Sequence, residues 1–111
     1  MKKKYIYDNV EIKKIIDGDT IDVCIDLGFN IYKDARIRLY GINAPETKGA
    51  EKELGLISKQ FLADLIPVGS FIKLEVVGKC KYGRWLGIIY KEELNINKHM
   101  VKSGQAIEYI I

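Results

Sequence analysis

Apolar and polar residues alternate along much of the chain with the period of two that a half-buried β-strand requires. Thr20–Asp26 shows the alternation most clearly, and the same pattern returns after residue 70. The predicted strands are Val10–Ile12 with Ile15–Ile16, Thr20–Asp26, Ile31–Tyr40, Phe71–Val77 and Trp85–Tyr90. Tight turns are expected at Asp17-Gly18-Asp19 and at residues 27–30, where glycine is flanked by residues that favour turns.

Two other segments follow the spacing of a helix. In the first, the spacing of three and four residues is carried by Leu54, Ile57, Ser58, Phe61, Leu62, Leu65 and Ile66. Pro67 and Gly69 should end this helix. A shorter helix is predicted from about Asn97 to Ser103, with Gly104 at its C-terminal cap.

The predicted order is five strands, with one helix between the third and fourth and a short helix after the fifth. That order is typical of the OB-fold, a five-stranded Greek-key barrel of the α+β class that is mainly β. A length of 111 residues fits a single domain covering positions 1–111. Because this fold carries many activities, the architecture alone does not predict function.

The net charge of +3 permits an anionic partner but does not require one. The N-terminal lysines precede no continuous apolar core, so no cleavable signal peptide and no membrane span is expected. This favours a cytoplasmic protein, bacterial or phage-encoded, although secretion stays open. Cys24 and Cys80 are expected to be small buried thiols rather than a disulfide.

Charged residues stand beside turns in three segments: Ile16–Thr20, Arg38–Thr47 and Lys81–Arg84. Each alone is explained by ordinary hairpin or helix-start chemistry. Together they supply what phosphodiester hydrolysis needs. Arginines can hold the phosphoryl oxygens in bidentate fashion, a carboxylate can take a proton from water, and clustered oxygens can hold a hard cation.

The sequences IDGDT, RLYGINAPET and KYGR, in this order, resemble the three signature segments of the staphylococcal nuclease family. The resemblance extends from about Val10 to about Ala106. It implies an OB-fold and a Ca²⁺-dependent phosphodiesterase that acts on DNA, RNA or both.

The resemblance also implies a role for each matching position. Arg38 and Arg84 would hold the phosphate, and Glu46 would be the general base for the attacking water. Asp19 would be a direct metal ligand and Asp17 an outer one, with Asn43 and the carbonyl of Ala44 at two further metal positions. The expected substrate contacts are Lys81, Tyr82 and Tyr109.

This chain departs from the family pattern at Asn43, where many members carry an aspartate. An amide oxygen can bind Ca²⁺ but brings no charge, so weaker metal binding is expected. A noncatalytic nucleic-acid-binding OB module is the first alternative, and a small interaction domain whose charges only cap turns is the second. An active enzyme is favoured because a pure binding module has no chemical need for Glu46 beside a phosphate.

The sequence ends in an apolar segment where many members of the family continue into a further helix. Ile107, Tyr109, Ile110 and Ile111 are unusually apolar for a chain terminus. We expect them to pack either against the barrel of a monomer or across the interface of a homodimer.

Overall fold

A computed structural model describes residues 5–109 as a small barrel with two α-helices. The elements in chain order are β1 (Tyr5–Asp17), β2 (Thr20–Asp26), β3 (Tyr32–Leu39), β4 (Ile42–Asn43), a 3₁₀ turn (Gly49–Glu51), α1 (Lys52–Leu65), β5 (Phe71–Lys79), β6 (Arg84–Lys91), β7 (Leu94–Asn95), α2 (Ile96–Lys102) and β8 (Ile107–Glu108). The predicted strands and helices are all present. The main difference is that β1 is one continuous strand that begins at Tyr5.

The five long strands close into a barrel. β1 pairs antiparallel with β2 and with β5, β2 pairs with β3, and β5 pairs with β6. A parallel pairing of β3 with β6 closes the circle. With one helix after β4 and another after β7, this is the predicted OB-fold of the mixed α+β class.

Alternate residues of the strands fill the barrel interior, as the sequence pattern requires. Ile12, Ile21, Ile37, Leu74 and Ile89 are fully buried. The helices add Leu62, Ile66 and Met100 to the same core. Each buried aliphatic side chain of this size contributes about 1.5–3 kcal/mol of transfer free energy.

The buried face of α1 is narrower than its apolar residues suggest. Gly55, Ser58 and Leu62 are its buried residues, whereas Leu54 is 61% exposed and Ile57 is 56% exposed. These two residues follow the predicted helical spacing but lie outside the packed face of the helix. Gly55 and Ser58 form the contact because α1 lies directly against the backbone of Glu46 at Gly55, where a larger side chain would not fit.

Asn97 joins α2 to the closing pair of strands. Its buried amide accepts a hydrogen bond from the Ile89 N–H (3.1 Å) and donates to the carbonyls of Tyr40 (2.9 Å) and Gly87 (3.0 Å). Truncation of this side chain would leave the Ile89 N–H and the Tyr40 carbonyl without this partner, whereas the Gly87 carbonyl would keep its bond from the Tyr40 N–H. Loss of a partner from a buried backbone group is more costly than loss of one exposed hydrogen bond.

The end of the described chain is held by its backbone. β8 pairs with β4, and the Tyr109 N–H donates to the Gly41 carbonyl at 2.8 Å. The side chains point away from the core, because Ile107 is 65% exposed and Tyr109 is 46% exposed. The prediction that these two pack against the barrel is wrong, and nothing in the described part of the chain supports a homodimer. Ile110 and Ile111 lie outside the described residues.

Cys24 and Cys80 are free thiols, as predicted, but both are half-buried rather than fully buried. Across residues 5–109, neither helix is long and apolar enough to cross a membrane.

Candidate active site

The β1–β2 hairpin presents two carboxylates at one end of the barrel. Asp17 pairs with Thr20 across the turn, and Gly18 lies between the two acids. A Cβ at Gly18 would lie 2.0 Å from the Ser58 hydroxyl and 2.8 Å from the Ala44 Cβ. Only glycine therefore lets the hairpin pack this closely against α1 and the segment after β4.

Asp19 is the buried centre of the site, with 6% of its surface exposed. Its Oδ1 accepts a hydrogen bond from the Thr20 hydroxyl (2.9 Å), and its Oδ2 accepts one from the Ala44 N–H (2.8 Å). The Leu39 N–H donates to the Asp19 backbone carbonyl at 2.7 Å. Asp19 is thus fixed to Thr20 and to the Ala44 segment through its side chain, and to β3 through its backbone carbonyl.

Arg38 connects this carboxylate to Asn43. The Arg38 Nη2 lies 3.5 Å from the Asp19 Oδ2 and donates to the Asn43 Oδ1 at 3.2 Å. Its Nη1 donates to the Leu39 carbonyl at 2.9 Å. The structure therefore brings together Asp19, Asn43 and Arg38, three residues singled out in two separate sequence segments.

Asp17 lies beside Asp19, with its Oδ1 accepting a hydrogen bond from the Asp19 N–H at 3.0 Å. Burial, and to a smaller extent the neighbouring Asp19, raise the pKa of Asp17 to about 6. Two acids at this separation disfavour each other's charge, so the pair would gain from a nearby cation.

The possible metal ligands are few. Within residues 5–109, no group of three His, Cys, Asp or Glu side chains is arranged to hold a metal ion. The available oxygens are the Asp17 and Asp19 carboxylates, the Asn43 amide and the Ala44 carbonyl. All are ligands that a hard cation such as Ca²⁺ accepts.

Glu46 is exposed and lies in the segment that leads from β4 to α1. Its backbone rests on the helix at Gly55, where an added Cβ would lie 2.0 Å from the Glu46 carbonyl oxygen and 2.8 Å from the Thr47 nitrogen. Sequence reasoning missed this role for Gly55. A glycine inside a helix costs about 1 kcal/mol of helix stability relative to alanine. Its presence within the predicted helix was the sequence signal for a close approach of another segment at this position.

Arg84 begins β6, on the strand that pairs with the strand of Arg38. In the parallel register Arg38 lies opposite Leu86, and Arg84 lies opposite Arg36. Arg36 is held by Asp22 through contacts of 2.7 and 3.0 Å. Arg84 donates only to the Cys80 Sγ, at 3.5 Å, and its buried Nε has no hydrogen-bond partner among the described residues.

The turn before Arg84 holds an aromatic ring in solvent. Tyr82 and Gly83 both have positive φ angles, 64° and 75°, and Tyr82 is 92% exposed. A tyrosine seldom adopts this backbone conformation, which is favourable for glycine. Lys81 is exposed in the same turn. Lys81 and Tyr82 thus precede Arg84 in one turn, while Tyr109 lies next to Gly41, to whose carbonyl its N–H donates.

The sequence profile described as "Staphylococcal nuclease homologue" matches residues 36–111, which is more than half of the chain. The chain belongs to the staphylococcal nuclease family. Among curated proteins it is 39% identical over 98 residues to an uncharacterized endonuclease of Haemophilus influenzae, covering 88% of this chain and 51% of that protein. It is 34% identical over 108 residues to a micrococcal nuclease of Shigella flexneri, covering 89% of this chain and 57% of that protein.

A third relative in the family is a probable staphylococcal-like nuclease of rice, 39% identical over 71 residues. That match covers 64% of this chain and 18% of the rice protein. The chain spans about half the length of the two bacterial relatives. The likeness therefore concerns the barrel domain, and the activity of a longer protein is a matter for proposal.

Proposed function

We propose that this chain is a calcium-dependent nuclease that hydrolyses phosphodiester bonds of DNA, RNA or both. The observation that supports the proposal most is the Arg84 guanidinium, whose buried Nε has no hydrogen-bond partner among the described residues. A buried donor without a partner is costly, and a phosphate oxygen would satisfy it. The printed names of the two bacterial relatives, endonuclease and micrococcal nuclease, agree with the proposal.

In the proposed reaction, Arg38 and Arg84 bind the nonbridging oxygens of the phosphate and stabilise the charge that develops there. Planar guanidinium groups suit this task because each can donate two parallel hydrogen bonds. Glu46 accepts a proton from water as the water oxygen forms a bond to phosphorus. The ester bond on the opposite side breaks, and the departing oxygen takes up a proton.

The residues that would hold Ca²⁺ are Asp19, Asp17, Asn43 and the Ala44 carbonyl. Their oxygen chemistry fits a hard cation, and the pKa of Asp17, raised by burial and by Asp19, indicates an acidic pair that a cation would stabilise further. When bound, the ion would neutralise charge on the phosphate. The Asn43 amide oxygen accepts from Arg38 in this structure, so Arg38 orients a proposed ligand as well as the substrate.

Lys81, Tyr82 and Tyr109 would contact the substrate outside the reacting group. Lys81 adds a positive charge in the turn before Arg84, and the exposed Tyr82 ring offers a surface for a base. Tyr109, next to Gly41, offers a second partly exposed ring.

The test is cleavage of single-stranded DNA and of RNA by the pure protein in CaCl₂, repeated with chelator. Cleavage that disappears with chelator, and that is absent from Glu46→Gln, is the expected result. Glu46 is exposed, so this variant should fold normally, which circular dichroism would check. Binding to both nucleic acids without cleavage in CaCl₂ would instead support the noncatalytic binding module.

A further inference from the structure

A groove of about 570 Å³ lies between α2 and the outer face of the closing strands. Its lining combines aromatic, aliphatic and basic side chains, chiefly Tyr40, Ile88, Lys98, Lys102, Glu108 and Tyr109. None of these residues belongs to the proposed catalytic or metal-binding set, and only Tyr109 was proposed as a substrate contact. A ligand that fits this groove would contact both the aromatic rings and the charged side chains.

The groove is continuous with the proposed phosphate site along β6. Gly87 and Ile89 are buried, so the alternate residues Arg84, Leu86 and Ile88 share the outer face of the strand. At about 3.3 Å per residue, Ile88 lies about 13 Å from Arg84. That distance corresponds to at most about four nucleotides of a stacked strand.

Two tyrosines lie where the groove begins. The Tyr40 N–H donates to the Gly87 carbonyl at 2.8 Å, which places Tyr40 beside the outer row of β6. The Tyr109 N–H donates to the carbonyl of the next residue, Gly41. Both rings are partly exposed, at 42% and 46%. Every nucleobase has a face that can stack on such a ring, so this contact is tolerant of sequence.

Lys98 and Lys102 are exposed and stand one turn apart on α2, so they lie on the same face of the helix. Glu108 is the acidic residue in the lining, which leaves the described groove with a positive balance. Rings that accept bases, next to cations that accept phosphates, match a single strand better than a duplex, whose base faces are covered. A purely apolar partner would leave the lysines unused.

We propose that this groove binds the single-stranded nucleic acid that continues beyond the cleaved phosphodiester, with Tyr40 stacking on a base and Lys98 and Lys102 contacting phosphates. The inference rests on the proposed function. Under this proposal, the affinity for a single strand depends on its length. Long single strands gain contacts that a dinucleotide cannot reach.

The test measures binding in chelator, by fluorescence anisotropy, of a labelled single-stranded 12-mer and a labelled dinucleotide. The double variant Lys98→Glu/Lys102→Glu and the single variant Tyr40→Ala should each weaken 12-mer binding about tenfold or more and leave dinucleotide binding within twofold. The double variant should also reduce the slope of log affinity against log salt by about 1.4, because two phosphate contacts are lost. Lys13→Glu on β1, at an exposed lysine outside the groove, is the charge-reversal control for each of the two lysine changes.

Loss of 12-mer binding in the groove variants alone supports the proposal. The proposal would be overturned by equal weakening of 12-mer binding in Lys13→Glu, by unchanged 12-mer binding in the groove variants, or by an equal loss of their dinucleotide binding. Unchanged 12-mer binding would leave the groove to another partner or chain segment. Because binding is measured without catalysis, the two proposals fail separately. If the protein binds the 12-mer through the groove but does not cleave it, the proposed nuclease activity is refuted. If the protein cleaves and the groove variants bind the 12-mer as tightly as the original chain, the proposed role of the groove is refuted.

Discussion

Gly55→Ala should slow catalysis although the residue touches no substrate. The added Cβ would lie 2.0 Å from the Glu46 carbonyl oxygen and 2.4 Å from its carbonyl carbon, where ordinary contact begins at 3.4 Å. Either α1 or the Glu46 backbone must therefore move by about 1 Å or more. The exposed segment should move, because α1 is anchored in the core by Leu62.

The size of the effect follows from this displacement. A misplacement of about 1 Å at a catalytic group costs about a hundredfold in rate. Stability should change less, because alanine favours the helix by about 1 kcal/mol while crowding costs about 1–3 kcal/mol. The net loss of stability is thus about 0–2 kcal/mol, and the variant should remain folded.

The assay is steady-state cleavage of a single-stranded oligonucleotide in saturating CaCl₂, with thermal unfolding on the same samples. We expect kcat to fall about a hundredfold with KM nearly constant, since the displaced group acts in the transition state. Ile57→Ala, an exposed change in the same helix, is the matched control and should keep full activity. If Glu46→Gln is inactive while Gly55→Ala keeps kcat within threefold, the glycine does not position the base and the reasoning is refuted.

Three further predictions concern the charged groups of the site. Arg84→Lys should lower kcat about a hundredfold with unchanged circular dichroism, because a point charge cannot replace the planar fork; a rate within a few-fold of the original removes Arg84 from the site. Asn43→Asp adds a charged ligand and should lower the calcium midpoint in calorimetry and in initial rates, and an unmoved midpoint would place Asn43 away from the metal. Burial and the neighbouring Asp19 raise the pKa of Asp17 to about 6, so in chelator the folded chain binds this proton more tightly than the unfolded chain, and stability falls as pH rises from about 4 to 6. Asp17→Asn should remove that fall, about 1 kcal/mol after solvent screening, in unfolding curves at pH 4 and 7; an identical pH dependence in both proteins contradicts the assignment.

Strands were easy to predict here because every barrel strand is buried on one side, so Ile21, Val23 and Ile25 alternate with polar neighbours in the sequence itself. The contacts of Asp19 with Ala44 and Arg38 were harder to predict. They join residues 25 and 19 positions apart in sequence within a closed barrel, and only the family resemblance suggested that the segments meet.

Two exposed apolar surfaces have one physical cause, which is that the hydrophobic pattern does not reveal what lies opposite a residue. Leu54 and Ile57 continue a helical stripe, yet the helix packs on backbone through Gly55 and Ser58. Ile107 and Tyr109 look like buried residues, but strand pairing with β4 holds the segment through its main chain and leaves the side chains outside. In both cases close approach of backbone decided the packing.

The parallel pairing of β3 with β6 has a consequence for how activity appears during folding. It joins residues 36–39 to residues 84–87, about 48 positions apart in sequence, with no hairpin to bring the two strands together. Pairings of such long range are closed late, because the entropy of a long loop must be overcome first. Any phosphate site built from Arg38 and Arg84 therefore exists only once the barrel has closed. Under the proposed function, nascent and partly folded chains would not cleave nucleic acid, and the return of cleavage during refolding would report when the barrel closes.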